Sequence, residues 1–149
     1  MKKYLVIIAF FALSLCLFAC GCSGSNKSVE TYRCTEWRVS KGTLGMDILK
    51  TDDGKDVYKY YDLYFYKDGY FKLVFLRNDS EKEEIYVGTY EDKDGTRYLT
   101  YRNKPDELQN LWGATPYTID TENKKLVRLQ HQVNSSGDTI IAQTFVKKK

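Results

Sequence analysis

One histidine, His131, is all that the 149 residues contain, and this scarcity excludes a multi-histidine metal centre or a paired-histidine proton relay. Any metal would have to be held by carboxylates that the fold brings together. Asp52-Asp53-Gly54-Lys55-Asp56 and Asp92-Lys93-Asp94-Gly95 resemble pieces of calcium loops, yet neither carries the remaining ligands or the terminal Glu. Hairpin turns built on Asp-Gly account for both. A Gly-X-Ser-X-Gly elbow, a phosphate-cradling loop and a dinucleotide fingerprint are also missing. No metal, no cofactor and no enzymatic activity are therefore expected. Asn-X-Ser triplets at Asn26, Asn78 and Asn134 fit the glycosylation pattern by chance.

Apolar runs are scarce as well, with one exception at the very start. After Met1-Lys2-Lys3 the chain is almost uninterruptedly apolar from Tyr4 to Ala19, and then turns small and polar through Cys20-Gly21-Cys22-Ser23-Gly24-Ser25-Asn26. Positive residues, an apolar stretch and small residues, in that order, mark an export signal. A permanent bilayer span needs about 20 apolar residues, so the run is short for that role. Leu17-Phe18-Ala19-Cys20 resembles the lipobox of bacterial lipoproteins, with an aliphatic residue three before the cysteine and a small one directly before it. A second frame, Ala19-Cys20-Gly21-Cys22, would place the modification on Cys22; Leu17 favours Cys20. The resemblance implies cleavage before the cysteine and a diacylglyceryl group on its sulfur. Two acyl chains anchor a protein stably where one does not, since each buried CH₂ contributes about 0.8 kcal/mol. The expected protein is a lipoprotein of the bacterial cell envelope, facing outside the cytoplasm, with residues 1–19 as signal, 20–29 as tether and 30–149 as one domain.

Charge of one sign is lacking too. Loss of residues 1–19 removes Lys2 and Lys3 and no acid, so 23 basic and 20 acidic residues become 21 and 20. No basic excess remains for binding nucleic acid through counter-ion release, and Lys147-Lys148-Lys149 reads as a solvated end. Cysteine is limited to four, of which Cys16 leaves with the signal and Cys20 carries lipid. Cys22 and Cys34 remain. An oxidising compartment allows a bridge between them, but a single cysteine in a strand is more often a small buried apolar residue. From Gly21 to Val29 the tether spans at most roughly 30 Å, which keeps the domain close to the membrane.

What is abundant is Tyr, Val, Ile, Thr and Phe, punctuated by Asp-Gly, Asn-Asp and Ser-Gly pairs, which are strand and turn signals. The pattern predicts strands near 31–39, 58–66, 70–77, 84–91, 96–102, 115–120, 125–132 and 139–146, with a further one near 45–50. Around Lys67-Asp68-Gly69 two hairpin registers compete. A two-residue loop pairs Phe65 with Lys72 and scatters polar groups over both faces. A three-residue loop with Gly69 left-handed pairs Tyr66 with Tyr70, Phe65 with Phe71, Leu63 with Leu73 and Tyr61 with Phe75. A one-residue slip would exchange the faces, so the second register is expected. It makes Tyr61, Leu63, Phe65, Phe71, Leu73 and Phe75 the candidate core or ligand lining. The opposite face carries Tyr60, Asp62, Tyr64, Tyr66, Tyr70, Lys72 and Val74; the tyrosines Tyr60, Tyr64, Tyr66 and Tyr70 form a candidate partner surface, although amphipathic rings also pack favourably across strands without any partner. One short helix is predicted near 105–112, opened by Pro105, Asp106 and Glu107 and stopped by Gly113, with Leu108, Leu111 and Trp112 on one face. It suits a lid over a barrel mouth.

An all-β meander of eight or nine strands that follows a tether, contains a strand-Asp-Gly-strand core and closes on Gln143-Thr144-Phe145-Val146-Lys147 resembles the lipocalin-like domains of small bacterial lipoproteins. Lipocalins proper begin their first strand with Gly-X-Trp, where this chain has Glu30-Thr31-Tyr32, with Trp37 further on. The resemblance implies an eight-stranded antiparallel barrel whose interior is either filled or holds one small ligand. Arg128 and Gln143 would be polar hooks if they point inward, but alternation fits Leu126-Arg128-Gln130 and Val127-Leu129-His131 about equally well. The functional expectation is a non-enzymatic module for a small apolar or amphipathic ligand. The alternative is a filled scaffold that docks another envelope protein.

Overall fold

The computed structural model describes residues 28–42, 44–102, 113–134 and 137–149. Nine strands follow one another: β1 Glu30–Lys41, β2 Leu44–Asp47, β3 Tyr58–Phe65, β4 Tyr70–Arg77, β5 Glu84–Lys93, β6 Thr96–Tyr101, β7 Thr115–Asp120, β8 Lys125–Asn134 and β9 Gly137–Lys147. From β3 to β9 each strand pairs antiparallel with the next, and β9 returns to pair with β1. Eight strands thus close into a barrel, the architecture expected of a lipocalin-like domain. Closure gives each of these strands a neighbour on both sides. The ninth strand, β2, matches the one expected near 45–50. It occupies the edge of β1 at Arg38–Lys41, beyond the four residues Glu30–Arg33 that pair with β3. The helix expected near 105–112 lies outside the described residues.

The β3–β4 hairpin adopts the three-residue loop. Gly69 sits at φ 80°, the Tyr66 amide donates to the Tyr70 carbonyl at 2.9 Å, and Phe65, Leu63 and Tyr61 face Phe71, Leu73 and Phe75. All six are buried. Their rings interlock: Tyr61 stacks on Phe75 at 5.0 Å, and Phe71 meets Tyr101 edge-on at 4.8 Å. That last contact depends on Gly88, which is the partner of both Phe71 and Tyr101 on the intervening strand β5. A Cβ there would stand 2.1 Å from the Thr100 carbonyl oxygen and 2.7 Å from the Phe71 ring. The glycine makes room for two aromatic neighbours.

Two bulges break the period of two. Between Cys34 and Glu36 the β1–β9 register shifts by one residue, and between Tyr58 and Tyr60 the β3–β4 register does the same. Each shift puts two residues three apart on the inner face, Cys34 with Trp37 and Tyr58 with Tyr61. Both Asp-Gly segments are turns. Asp94 and Gly95 have φ 50° and 75° between β5 and β6, the mirror-image geometry that suits the twist of a two-residue hairpin. Gly54 at φ 79° turns the chain inside the Lys50 to Asp56 bridge.

Candidate functional site

At one end the barrel is closed by the short turns after β3, β5 and β7, where the chain also enters at Glu30 and leaves at Lys147. This hairpin end is capped by charge over aromatics. Arg97 lies above the Phe65 and Tyr90 rings at 4.3 and 4.8 Å. It donates Nε and Nη2 to the two oxygens of Asp92, both at 2.7 Å, and Nη1 to Glu30 at 2.8 Å. Lys147 adds a 2.7 Å bond to Glu30. Burial alone would raise the Glu30 carboxyl, but the bonds from Lys147 and Arg97 outweigh it and hold it below its ordinary 4.5. A surface cleft of about 750 Å³ opens beside this cap. The charged groups Glu30, Asp92, Arg97 and Lys147 on its wall are already satisfied by one another.

The barrel interior holds a different arrangement. Tyr61, Leu63, Phe65, Phe71, Leu73 and Phe75 form the apolar wall of β3 and β4, completed by Trp37, Leu99, Leu126 and Phe145. Against it, on β7, β8 and β9, sits a polar layer. Gln143 pairs with Arg128 across β8–β9 and with Trp37 across β9–β1, and its Oε1 accepts the Tyr117 hydroxyl at 2.8 Å. Arg128 is 2% exposed. Its Nη2 donates to Gln130 Oε1 at 2.5 Å, two residues farther from the hairpin end. The inward phase on β8 is therefore Leu126-Arg128-Gln130, while Leu129 and Val133 stand exposed outside. Burial raises the Tyr117 phenol despite the opposing pull of the Arg128 charge, so the ring is a neutral donor. Cys34, a free thiol, is pushed up by burial to about 12 and faces Gln143 Nε2 at 4.0 Å. It is a small, inert part of this wall.

Two atoms in the polar layer have no hydrogen-bond partner among the described residues: Arg128 Nε and Thr115 Oγ1. The other buried charges are matched. Arg97 has two carboxylates, and Asp62, although it points outward from β3, is covered by a bidentate bond from Arg33 at 2.8 and 2.9 Å and by Lys148 at 3.2 Å. Arg128 faces no carboxylate within ion-pair distance among the described residues.

The tyrosine row lies where the β3–β4 register puts it, on the outside. Tyr70 is exposed, and Tyr60, Tyr64 and Tyr66 are half-buried. A hydrogen bond to Glu83 raises the Tyr60 phenol to about 12, and Lys72 lies 5.0 Å over the Tyr64 ring. Exposed Ile85 and Val87 on β5, opposite Val74 and Lys72, extend this face. The alternative lipid attachment residues Cys20 and Cys22 lie outside the described residues. Sequence reasoning reached Arg128 and Gln143 but missed Tyr117, Thr115 and the Arg97 cap. Asp92 and Arg97 are direct partners across the β5–β6 hairpin, so the Asp94-Gly95 turn signals that pair. Comparison with protein-family models, with curated proteins and with solved structures finds no match for this chain.

Proposed function

We propose that this chain is a lipid-anchored protein of the bacterial envelope whose barrel is a non-enzymatic binding module for a small amphipathic ligand. The observation that carries the reading is the polar layer of Arg128, Gln143, Tyr117 and Thr115 set into an otherwise apolar, aromatic-lined interior, with two of its polar atoms unpartnered. Small-molecule sites combine a mostly apolar lining with a few convergent polar groups that fix orientation. A scaffold under no demand to bind would be served equally by an apolar layer, since buried polar atoms left unpaired cost stability. The pattern of an export signal followed by Cys20 supports the location, as an expectation from the sequence.

A second reading rests on a separate observation. The Tyr60, Tyr64, Tyr66 and Tyr70 face continues into exposed Ile85 and Val87, and contiguous apolar surface of this kind is where proteins dock. Native mass spectrometry of the full chain, extracted from its own envelope in mild detergent, separates the two. A binding module retains a non-covalent small-molecule adduct beyond the mass of its N-terminal lipid. Recovery of a complex with another envelope protein and no small adduct would replace the first reading with the second.

A further inference from the structure

Resting on the binding-module reading, we propose that the interior of the barrel is an anion site: Arg128 and Thr115 receive the carboxylate head of a small amphipathic acid whose tail lies against the aromatic wall. A guanidinium has five N–H donors and no acceptor, in a fork that matches a carboxylate. Arg is almost never fully buried unless it is paired, because an isolated buried charge is far more costly than a buried neutral group. Among the described residues Arg97 and Asp62 obey that rule and Arg128 does not: its neighbours there are the amide oxygen of Gln130 and the neutral Tyr117 phenol, and its Nε is unpartnered. Neutral acceptors alone, which are what the described residues offer it, leave the charge uncompensated.

The direction of the side chain supplies the second part. Arg128 starts on the inner face of β8 and reaches toward Gln130, away from the capped hairpin end. Thr115 opens β7 on that same side, and its hydroxyl, 1% exposed as a residue, also has no partner. One carboxylate accepting from Arg128 Nε and Thr115 Oγ1 would satisfy both orphan groups and neutralise the charge together. A cation or a neutral alcohol would not. The wall opposite, with Trp37, Tyr61 and Phe75 in ring contact with one another or with their neighbours, is suited to an apolar tail rather than to a second charge.

Thermal unfolding of the full lipidated chain in lipid nanodiscs, with octanoate and with 1-octanol as probes, tests this. Mass action raises Tm with any ligand that binds only the folded state. Octanoate is expected to raise Tm by roughly 5 °C or more at saturation, and 1-octanol by much less. Arg128→Met removes an uncompensated charge and conserves much of the volume, so the ligand-free variant should melt no lower than wild type and lose the octanoate response. Thr115→Val, nearly isosteric, should keep the fold and need at least about threefold more octanoate for the same shift; an unchanged response there overturns the two-group site even if Arg128→Met fails to fold. Equal shifts with the two probes, or an octanoate shift that survives in Arg128→Met, overturn the anion site and leave the binding module standing. No shift with either probe overturns both.

Discussion

Gly88 shows how strictly the barrel wall is dimensioned at single positions. Its two cross-strand partners are Phe71 and Tyr101, whose rings meet over it. A methyl group would collide with backbone at the Thr100 carbonyl as well as with the Phe71 ring, and backbone in a paired strand cannot step aside as a flexible side chain does. Gly88→Ala should therefore destabilise by about 1–3 kcal/mol or more, the range for a local overpacking clash. The urea midpoint reads this directly, and a midpoint equal to wild type would show that β5 and β6 are free to separate. In the sequence, Val87-Gly88-Thr89 shows only that a glycine interrupts a strand. Which neighbours need the space becomes visible once β4 and β6 flank it. Arg128 had the same difficulty. Leu126-Arg128-Gln130 and Val127-Leu129-His131 alternate equally well, and the choice between them is made by Tyr117 and Gln143 on the adjacent strands, not by anything within β8.

At the scale of elements, the hairpins were the legible part. Gly69 and the unbroken alternation on each side of it leave a single register that puts Phe65, Leu63 and Tyr61 on one face, and that register is present. The bulges at Cys34/Glu36 and Tyr58/Tyr60 were not legible, because a period of two cannot anticipate the residue at which it changes phase. The cap at the hairpin end joins both cases. Asp92 and Arg97 come from one hairpin, while Glu30 and Lys147 come from the first and last strands, brought together only by closure. This cap makes the stability sensitive to acid. The folded-state carboxyl of Glu30 lies below its ordinary 4.5, so its contribution is present above that pH and is lost as pH falls through the lowered value. Wild type and Glu30→Gln should differ most in stability near neutrality, and the gap should narrow as pH falls through and below the ordinary Glu range. Denaturant unfolding across that range measures it. A gap that is constant, or that widens in acid, would mean that the Lys147 and Arg97 bonds do not hold the charged form.

For the whole molecule, closure makes the domain self-contained: β9 on β1 completes the hydrogen-bonded ring, and the barrel interior draws buried side chains from seven of the eight barrel strands, with β5 adding the half-buried Tyr86 and Tyr90. Chain entry at Glu30 and exit at Lys147 both lie at the capped end, so an anchored protein would present that end to the membrane. Arg128, reaching the other way, would open toward the envelope space, from which a soluble amphipathic acid can arrive. The proposed anchor and the proposed site are thereby separable. Cys20 precedes β1 by ten residues in sequence, and no barrel strand needs it to close. Cys20→Ala should abolish incorporation of a clickable palmitate analogue and move the chain from the membrane to the soluble fraction of a fractionated envelope. Its unfolding midpoint should match that of a wild-type chain released from the membrane by proteolysis of the tether. Cys22→Ala should remain labelled and membrane-bound, because Leu17 favours cleavage in front of Cys20. The reverse result, labelling lost only in Cys22→Ala, would move the attachment two residues along and shorten the leash by the same amount. A Cys20→Ala/Cys22→Ala double variant that stays in the membrane fraction without incorporating label, together with a wild type that takes up none, would exclude a lipid on either thiol, and with it the tethered placement from which the ligand's route to Arg128 is argued.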